Sequence, residues 1–293
     1  MITFAEFERQ KTRAAALAPI HPLTTIDTGP ASAHLRGIGN DWTRTFYDGD
    51  FHLFDPPADR PAISLVFVQS RDGNTGAANP VDLGGGPTDT HLLYEGLSRV
   101  AADAVLAGAG SAAGRTAFFS VWHPELTALR RQLGLPRHPA QVVVSQDGRV
   151  DANRTLLFNV PDVPVFVLAG SQCRERCRSH FSGRPWVTVI PLEPGGLTAA
   201  LTRLRREHGI ARISAIGGRT TATGLIDAGL VQDLCLTTAP RDGGEPHTPF
   251  YIGTHPPSFE LIVRKRERDQ DEPIIFEHKG AIARRPGAAL EVC

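Results

Sequence analysis

The sequence predicts an α/β fold: a mostly parallel central sheet flanked by helices and closed by an antiparallel C-terminal hairpin. From Arg60 onward, short apolar runs alternate with segments of helical period, the β-α-β rhythm of a parallel sheet. Residues 213–229 read as a strand, the pair Gly217-Gly218, a hydroxyl run and a helix closed by Gly229. Residues 259–265 and 274–278 flank a charged turn over 267–272, which makes them a hairpin at the sheet edge.

Taken in order, residues 1–57 stand apart as an N-terminal extension, and residues 58–293 form the α/β domain. An amphipathic helix is expected over 4–17, with Phe4, Phe7, Ala14 and Leu17 as its apolar positions. The irregular stretch after it holds Trp42, Phe46, Tyr47, Phe51 and Phe54 before Pro56-Pro57. Aromatics at that density argue for packing on the main domain or on a partner subunit rather than for disorder. Residues 62–68 form a strand, and a polar, glycine-rich loop follows to Thr88. A helix over 89–100 turns Leu93, Leu97 and Val100 to one face. Residues 104–107 are apolar and short enough to be a buried strand. Helices are expected over 124–133 and 172–180, and strands over 141–144, 163–168 and 187–190. Leu197, Leu201, Leu204 and His208 mark a helix that Gly209 stops. Strands over 212–216 and 234–238 flank the glycine-turn helix.

Composition narrows the function. Formal net charge is zero, so neither nucleic acid nor an acidic membrane surface is favoured as a partner. Met1 is followed by polar sequence, and no apolar run approaches the roughly 18 residues of a membrane span, so a soluble cytoplasmic protein is expected. Cys173, Cys177, Cys235 and Cys293 read as reduced thiols, and no histidine or cysteine spacing matches a metal site.

In open α/β sheets, ligands collect beyond the carboxyl ends of the strands. Four loops leave strand ends with unusual residues: 69–76, 108–111, 145–149 and 217–221. Asp89 opens the first helix of the domain beside them. At Gly217-Gly218 the backbone can come close to a ligand, and a helix start offers free N–H groups to an anion such as a dinucleotide pyrophosphate. Gly108-x-Gly110-x-x-Ala113 matches a Rossmann fingerprint, but that reading needs a helix opening directly at the loop.

The order Ser70-x-Asp72-Gly73, Ala102–Ser111, Ile216-Gly217-Gly218 and Leu230–Leu234, then Ala239-Pro240 and Gly243-Gly244, resembles the pyrimidine reductase family. Those are the reductase domains of bacterial riboflavin biosynthesis, which share the dihydrofolate reductase fold. The resemblance spans roughly residues 60–280. It implies a homodimer, NADPH as cofactor, and a pyrimidine, pterin or related heterocycle as substrate. On the cofactor side it implies Gly108, Gly110 and Ser111 near the nicotinamide ribose and pyrophosphate, and Ser145 near the adenosine 2′-phosphate. It also implies Gly217, Gly218, Arg219, Thr220 and Thr221 around the pyrophosphate. A 2′-phosphate also wants a guanidinium, and Arg149 is the nearest. On the substrate side the family places Ser70, Asp72 and the helix start at Asp89 near the reducible ring. Either aspartate could supply a proton, with burial expected to raise its pKa. No metal is expected.

The sequence departs from the family at two places. Riboflavin-pathway members usually carry a glutamate where Ile216 stands, and a lysine with Met-Ser-Leu-Asp-Gly where this chain reads Val66–Asp72. These departures motivate an alternative, a non-catalytic descendant that binds a nucleotide or pterin. No His-x-Glu…Cys-x-x-Cys motif is present, so a fused zinc deaminase is not expected.

Overall fold

The computed structural model describes residues 3–77 and 80–282. Its strands are β1 (Leu23–Thr28), β2 (Arg36–Ile38), β3 (Phe51–Leu53), β4 (Ala62–Gln69), β5 (Ala104–Gly108), β6 (Ala140–Ser145), β7 (Val165–Ala169), β8 (Val187–Pro191), β9 (Arg212–Ile216), β10 (Asp233–Thr238), β11 (Phe259–Glu267) and β12 (Ile275–Ala281). Ten of them make one sheet, in the order β1-β11-β12-β10-β4-β9-β5-β6-β7-β8. The run from β10 to β8 is parallel throughout. At the other end β12, β11 and β1 pair antiparallel. The mostly parallel sheet with its antiparallel hairpin is therefore as expected.

Burial follows the sequence pattern. β5 and β7 are apolar along their whole length and buried at every residue, as strands covered on both faces must be. β12 alternates buried and half-buried residues, the mark of a sheet with one wetter face. Each face has its own core. One gathers Val66, Val105, Val143 and Val167 with the helix that follows β4 and with the extension. The other gathers Leu65, Leu106, Val142 and Leu168 with α6 (Gly196–His208) and α7 (Arg219–Asp227).

The helix expected over 89–100 begins earlier and is wider. It opens at Gly86–Thr88 and continues as a π-helix over Asp89–Leu97, together called α3. Leu93, Leu97 and Val100 are buried as expected. Gly96 is where the extension presses on it: a Cβ there would lie 2.6 Å from Cζ of Phe51.

The extension is more ordered than the aromatic count alone suggested. β1 adds an edge strand to the main sheet, and β2 pairs with β3 around α2 (Asp41–Phe46), which Asn40 and Thr43 close with a capping box. Strands of three residues are too short for periodicity to reveal. α1 (Phe4–Ala16) buries Phe7 and Ala15, whereas Leu17 is 74% exposed because the helix has already ended there. Phe4 meets Phe118 edge-on at 4.8 Å, Phe7 meets Trp122 at 5.7 Å, and Glu8 pairs with Arg137 at 3.0 Å.

Behind α2, Trp42 packs on His123 with ring centroids 4.4 Å apart, and His91 lies 5.4 Å from the same ring. Glu95 of α3 accepts from the backbone N–H groups of Trp122 and His123 at 2.9 and 3.0 Å. Burial first, then nearby His91, pushes the His123 pKa down to about 4. A histidine with a depressed folded pKa contributes stability that is present above about 6.5 and lost as pH falls towards 4. The melting temperature should fall across that window, and less steeply in His123→Phe, which keeps the stacked ring without the titration. Superimposable profiles for the two proteins would rule this out.

Candidate functional site

The loops at the carboxyl ends of β10, β4, β9, β5 and β6 are neighbours in that order, because the strands are. The sheet thus brings the four loops singled out in the sequence to one rim.

On β5 and β9 the loops touch. A Cβ on Gly108 would lie 2.8 Å from Oγ1 of Thr221. Gly217 and Gly218 have φ of +71° and +76°, and a Cβ on either would come within 3.8 Å of Oγ of Ser111. Gly108, Ser111, Gly217, Gly218 and Thr221 therefore form one cradle, kept open by missing side chains. α7 begins there, with Arg219, Thr220 and Thr221 as its first turn and no side chain capping it at Gly218. Its first N–H groups remain available to a ligand, and the helix start favours an anion. Gly110 is exposed with open space around it. The Rossmann alternative fails here, since no helix opens after Gly108 until α4 (Pro124–Gln132).

The β6 loop is tied to itself. Ser145 is buried and donates its hydroxyl to Oδ1 of Asp147 at 3.2 Å, and the Arg149 N–H donates to the same oxygen at 3.1 Å. The Arg149 guanidinium is exposed and 3.5 Å from Asp147, whose carboxyl the backbone bond from Arg149 holds below the usual range. Cys173 and Cys177 lie beneath as free thiols, against Gly148. Cys293 lies outside the described residues.

The two aspartates differ. Asp72 is exposed, and both its oxygens are engaged: Ser70 donates its hydroxyl to Oδ1, and Nδ2 of Asn74 donates to Oδ2 at 2.7 Å. The Ser70 bond comes first among the causes that lower its pKa, opposite to the shift expected from burial. The loop is also fastened to residues 241–248: Arg71 forks onto Asp242 with two bonds of 3.0 Å, and the Thr75 N–H donates to the Thr248 carbonyl at 2.7 Å. Ser70, Asp72 and Asn74 hold this rim in shape.

Asp89 behaves as burial predicts. Removal of water by the surrounding protein pushes its pKa up to about 6, partly opposed by a hydrogen bond that the Thr237 hydroxyl donates to Oδ1. Oδ2 is left next to Gly85, where a Cβ would approach to 2.8 Å. The backbone N–H of His21 donates to Thr88 at 3.1 Å, so the extension reaches the start of α3. Asp89 sits at the end of β10, two strands from the Gly217 turn, which is about 10 Å at ordinary strand spacing. Thr237 was missed in the sequence. Its signal was the buried alternation Asp233, Cys235, Thr237 about the apolar Leu234 and Leu236.

A family model of the RibD C-terminal domain matches residues 61–272. No curated protein matches the chain. Among solved structures, a pyrimidine reductase-like protein from Corynebacterium diphtheriae aligns with a TM-score of 0.62 at 20% identity, over 77% of this chain and 94% of that one. The diaminohydroxyphosphoribosylaminopyrimidine deaminase/5-amino-6-(5-phosphoribosylamino)uracil reductase of Thermotoga maritima aligns with a TM-score of 0.52 at 17% identity, over 82% of this chain and 59% of that one. The riboflavin biosynthesis reductase of Saccharomyces cerevisiae gives 0.51 at 15%, over 78% and 93%. At these identities the likeness shows the shared fold. Among the described residues, no helix is long and apolar enough to cross a membrane.

Proposed function

The chain belongs to the RibD C-terminal domain family, and on that premise we propose that it is an NADPH-dependent reductase acting on a C=N or C=C bond of a pyrimidine, pterin or related heterocycle. One observation supports this most: an open glycine–hydroxyl cradle at a helix start lies two strands from a carboxyl whose pKa is raised to about 6.

The cradle fits a dinucleotide. Its positive-φ glycines, exposed hydroxyls and uncapped first turn suit phosphate oxygens. Gly108, Ser111, Gly217, Gly218, Arg219, Thr220 and Thr221 would hold it, with Gly110 at its open edge. Ser145 would support the adenosine end by shaping the loop that presents Arg149. When bound, NADPH supplies the hydride. Asp89 holds the proton on Oδ2, because Oδ1 already accepts from Thr237. From there it hydrogen-bonds a ring nitrogen of the substrate and delivers the proton that balances reduction. Ser70 and Asp72 shape the opposite wall, and Asp72 stays ionised because its bonds favour the charged form. A homodimer is proposed on the family resemblance alone.

Thermal shift with NADPH and NADH tests the cofactor assignment. Saturation at about 100 times the dissociation constant adds roughly 2.7 kcal/mol, a rise of several degrees for a chain of this size. A larger rise with NADPH supports Arg149 as the 2′-phosphate partner. No rise with either cofactor overturns the assignment. A rise without NADPH oxidation across a panel of pyrimidines and pterins points instead to the non-catalytic binder, for which Ile216 and Arg71 are the motivating departures.

A further inference from the structure

We infer that Asp233, Cys235 and His278 form a binding site for one divalent transition-metal ion of the zinc type, at the end of the sheet away from the cradle. Cys235 and His278 are directly opposite in the β10–β12 ladder, and Asp233 is two residues from Cys235, so all three share one face. All are buried, at 4% exposure or less. Nε2 of His278 is 2.9 Å from Oδ2 of Asp233, and Sγ of Cys235 is 3.9 Å from the same oxygen. One ligand atom from each residue lies within 4.8 Å of the other two. Zinc at 2.0–2.3 Å from imidazole, carboxylate and thiolate holds such atoms roughly 3–4 Å apart, so a small contraction completes the geometry.

Among the described residues, no lysine or arginine is bonded directly to the group. Asp233 is a buried carboxylate, and a buried charge is ordinarily paired or bound to a metal. Among the described residues it makes no ion pair with lysine or arginine; its partners are the Ser64 hydroxyl at 2.8 Å, His278 and the Cys235 thiol, which donates to Oδ2 at 3.9 Å. Arg212 lies close enough to interact electrostatically with Asp233, but its guanidinium donates to the Phe54 carbonyl and pairs with Asp55 at 3.8 Å, while Lys265 donates to Thr25 and the Asp48 carbonyl. Nδ1 of His278 is buried without a hydrogen-bond partner, on a side chain that is 0% exposed. A cavity of about 20 Å³ lined by His52, Ser64, Arg212 and Asp233 adjoins the group and has room for one water as a fourth ligand. Carboxylate, thiolate and imidazole together suit zinc rather than calcium or magnesium. Phe54 of the extension lies edge-on to His278 at 6.1 Å, so a bound ion would also secure the extension.

The site is closed, so the full-length protein should be unfolded under reducing conditions and refolded with cobalt(II) as the probe. The expected result is about one cobalt per chain after desalting, with intense thiolate-to-cobalt absorption in the near ultraviolet and the visible bands of a tetrahedral ion. Both should persist in the Cys173→Ser/Cys177→Ser protein and fall at least tenfold in Cys235→Ala and His278→Gln. Circular dichroism of each variant separates loss of metal from loss of fold. Natively refolded wild type with no retained cobalt, or cobalt without the thiolate band, overturns the proposal. A band that follows Cys173 and Cys177 overturns it as well.

Discussion

Replacing Asp89 with asparagine is expected to abolish most turnover while making the folded protein more stable. The Asp89 pKa is pushed from 3.8 to about 6 by burial, so the folded state binds the proton more tightly than the unfolded chain does. A carboxyl shifted in this direction contributes stability that is fully present below 3.8 and lost as pH rises through about 6. At neutral pH the fold therefore carries a cost of up to about 3 kcal/mol, reduced by the solvent that reaches this half-buried group. Asparagine removes the cost and can still accept from Thr237, so the melting temperature at pH 7 should rise by several degrees. In the wild type the gain should appear on acidification through the same window; in Asp89→Asn that dependence should vanish. Turnover should move the other way, with kcat/KM down by about 10²–10⁴-fold and NADPH affinity unchanged. The wild-type kcat/KM should fall above about pH 6, since the protonated form is the active one. A limb that falls below pH 6 instead would show that the ionised form works, as an anchor for a ring N–H. Unchanged kcat/KM in Asp89→Asn would remove the residue from the mechanism.

What the sequence revealed and what it hid divide along physical lines. The parallel strands were legible because covering both faces forces continuous apolar runs such as Ala104–Gly108. The Gly217-Gly218 cradle was legible because a left-handed backbone before a helix calls for glycine, and both residues have positive φ. Asp72 and Asp89 looked alike as letters. Their opposite pKa shifts arise from surroundings that the letters do not show: the Ser70 hydroxyl stabilises the charged form of the exposed Asp72, whereas burial raises Asp89 against the opposing bond from Thr237. The self-contained Ser145–Arg149 loop depends on which way a hydroxyl turns, which spacing does not encode. The Asp233–Cys235–His278 group was hidden for a similar reason, because strand register rather than sequence spacing brings His278 to the other two. The extension was recognised as packed from its aromatics, but β1 joins the sheet through backbone bonds that leave little trace in side-chain pattern.

Gly218→Val should separate cofactor binding from folding. Gly218 has φ of +76°, a conformation that costs a β-branched residue about 1–3 kcal/mol. Its added Cβ would lie 3.6 Å from Oγ1 of Thr221 and 3.8 Å from Oγ of Ser111, and the two methyls beyond it extend into the cradle. The strain alone predicts a melting temperature lower by several degrees. The cradle predicts something more specific. NADPH loses access to the first-turn N–H groups of α7, so its dissociation constant should rise at least about 100-fold, which corresponds to about 2.7 kcal/mol. Gly229→Val provides the comparison. Gly229 follows the other end of the same helix at φ +63°, and a Cβ there meets nothing within 4 Å. It should lose a similar amount of stability and keep its NADPH affinity. Calorimetric titration of both variants decides between the two explanations. If binding weakens equally in both, strain spreading through α7 accounts for the loss. If it weakens only in Gly218→Val, the backbone at the end of β9 is where the cofactor's phosphates sit, because the two substitutions share chemistry, helix and a positive φ and differ in the space they fill.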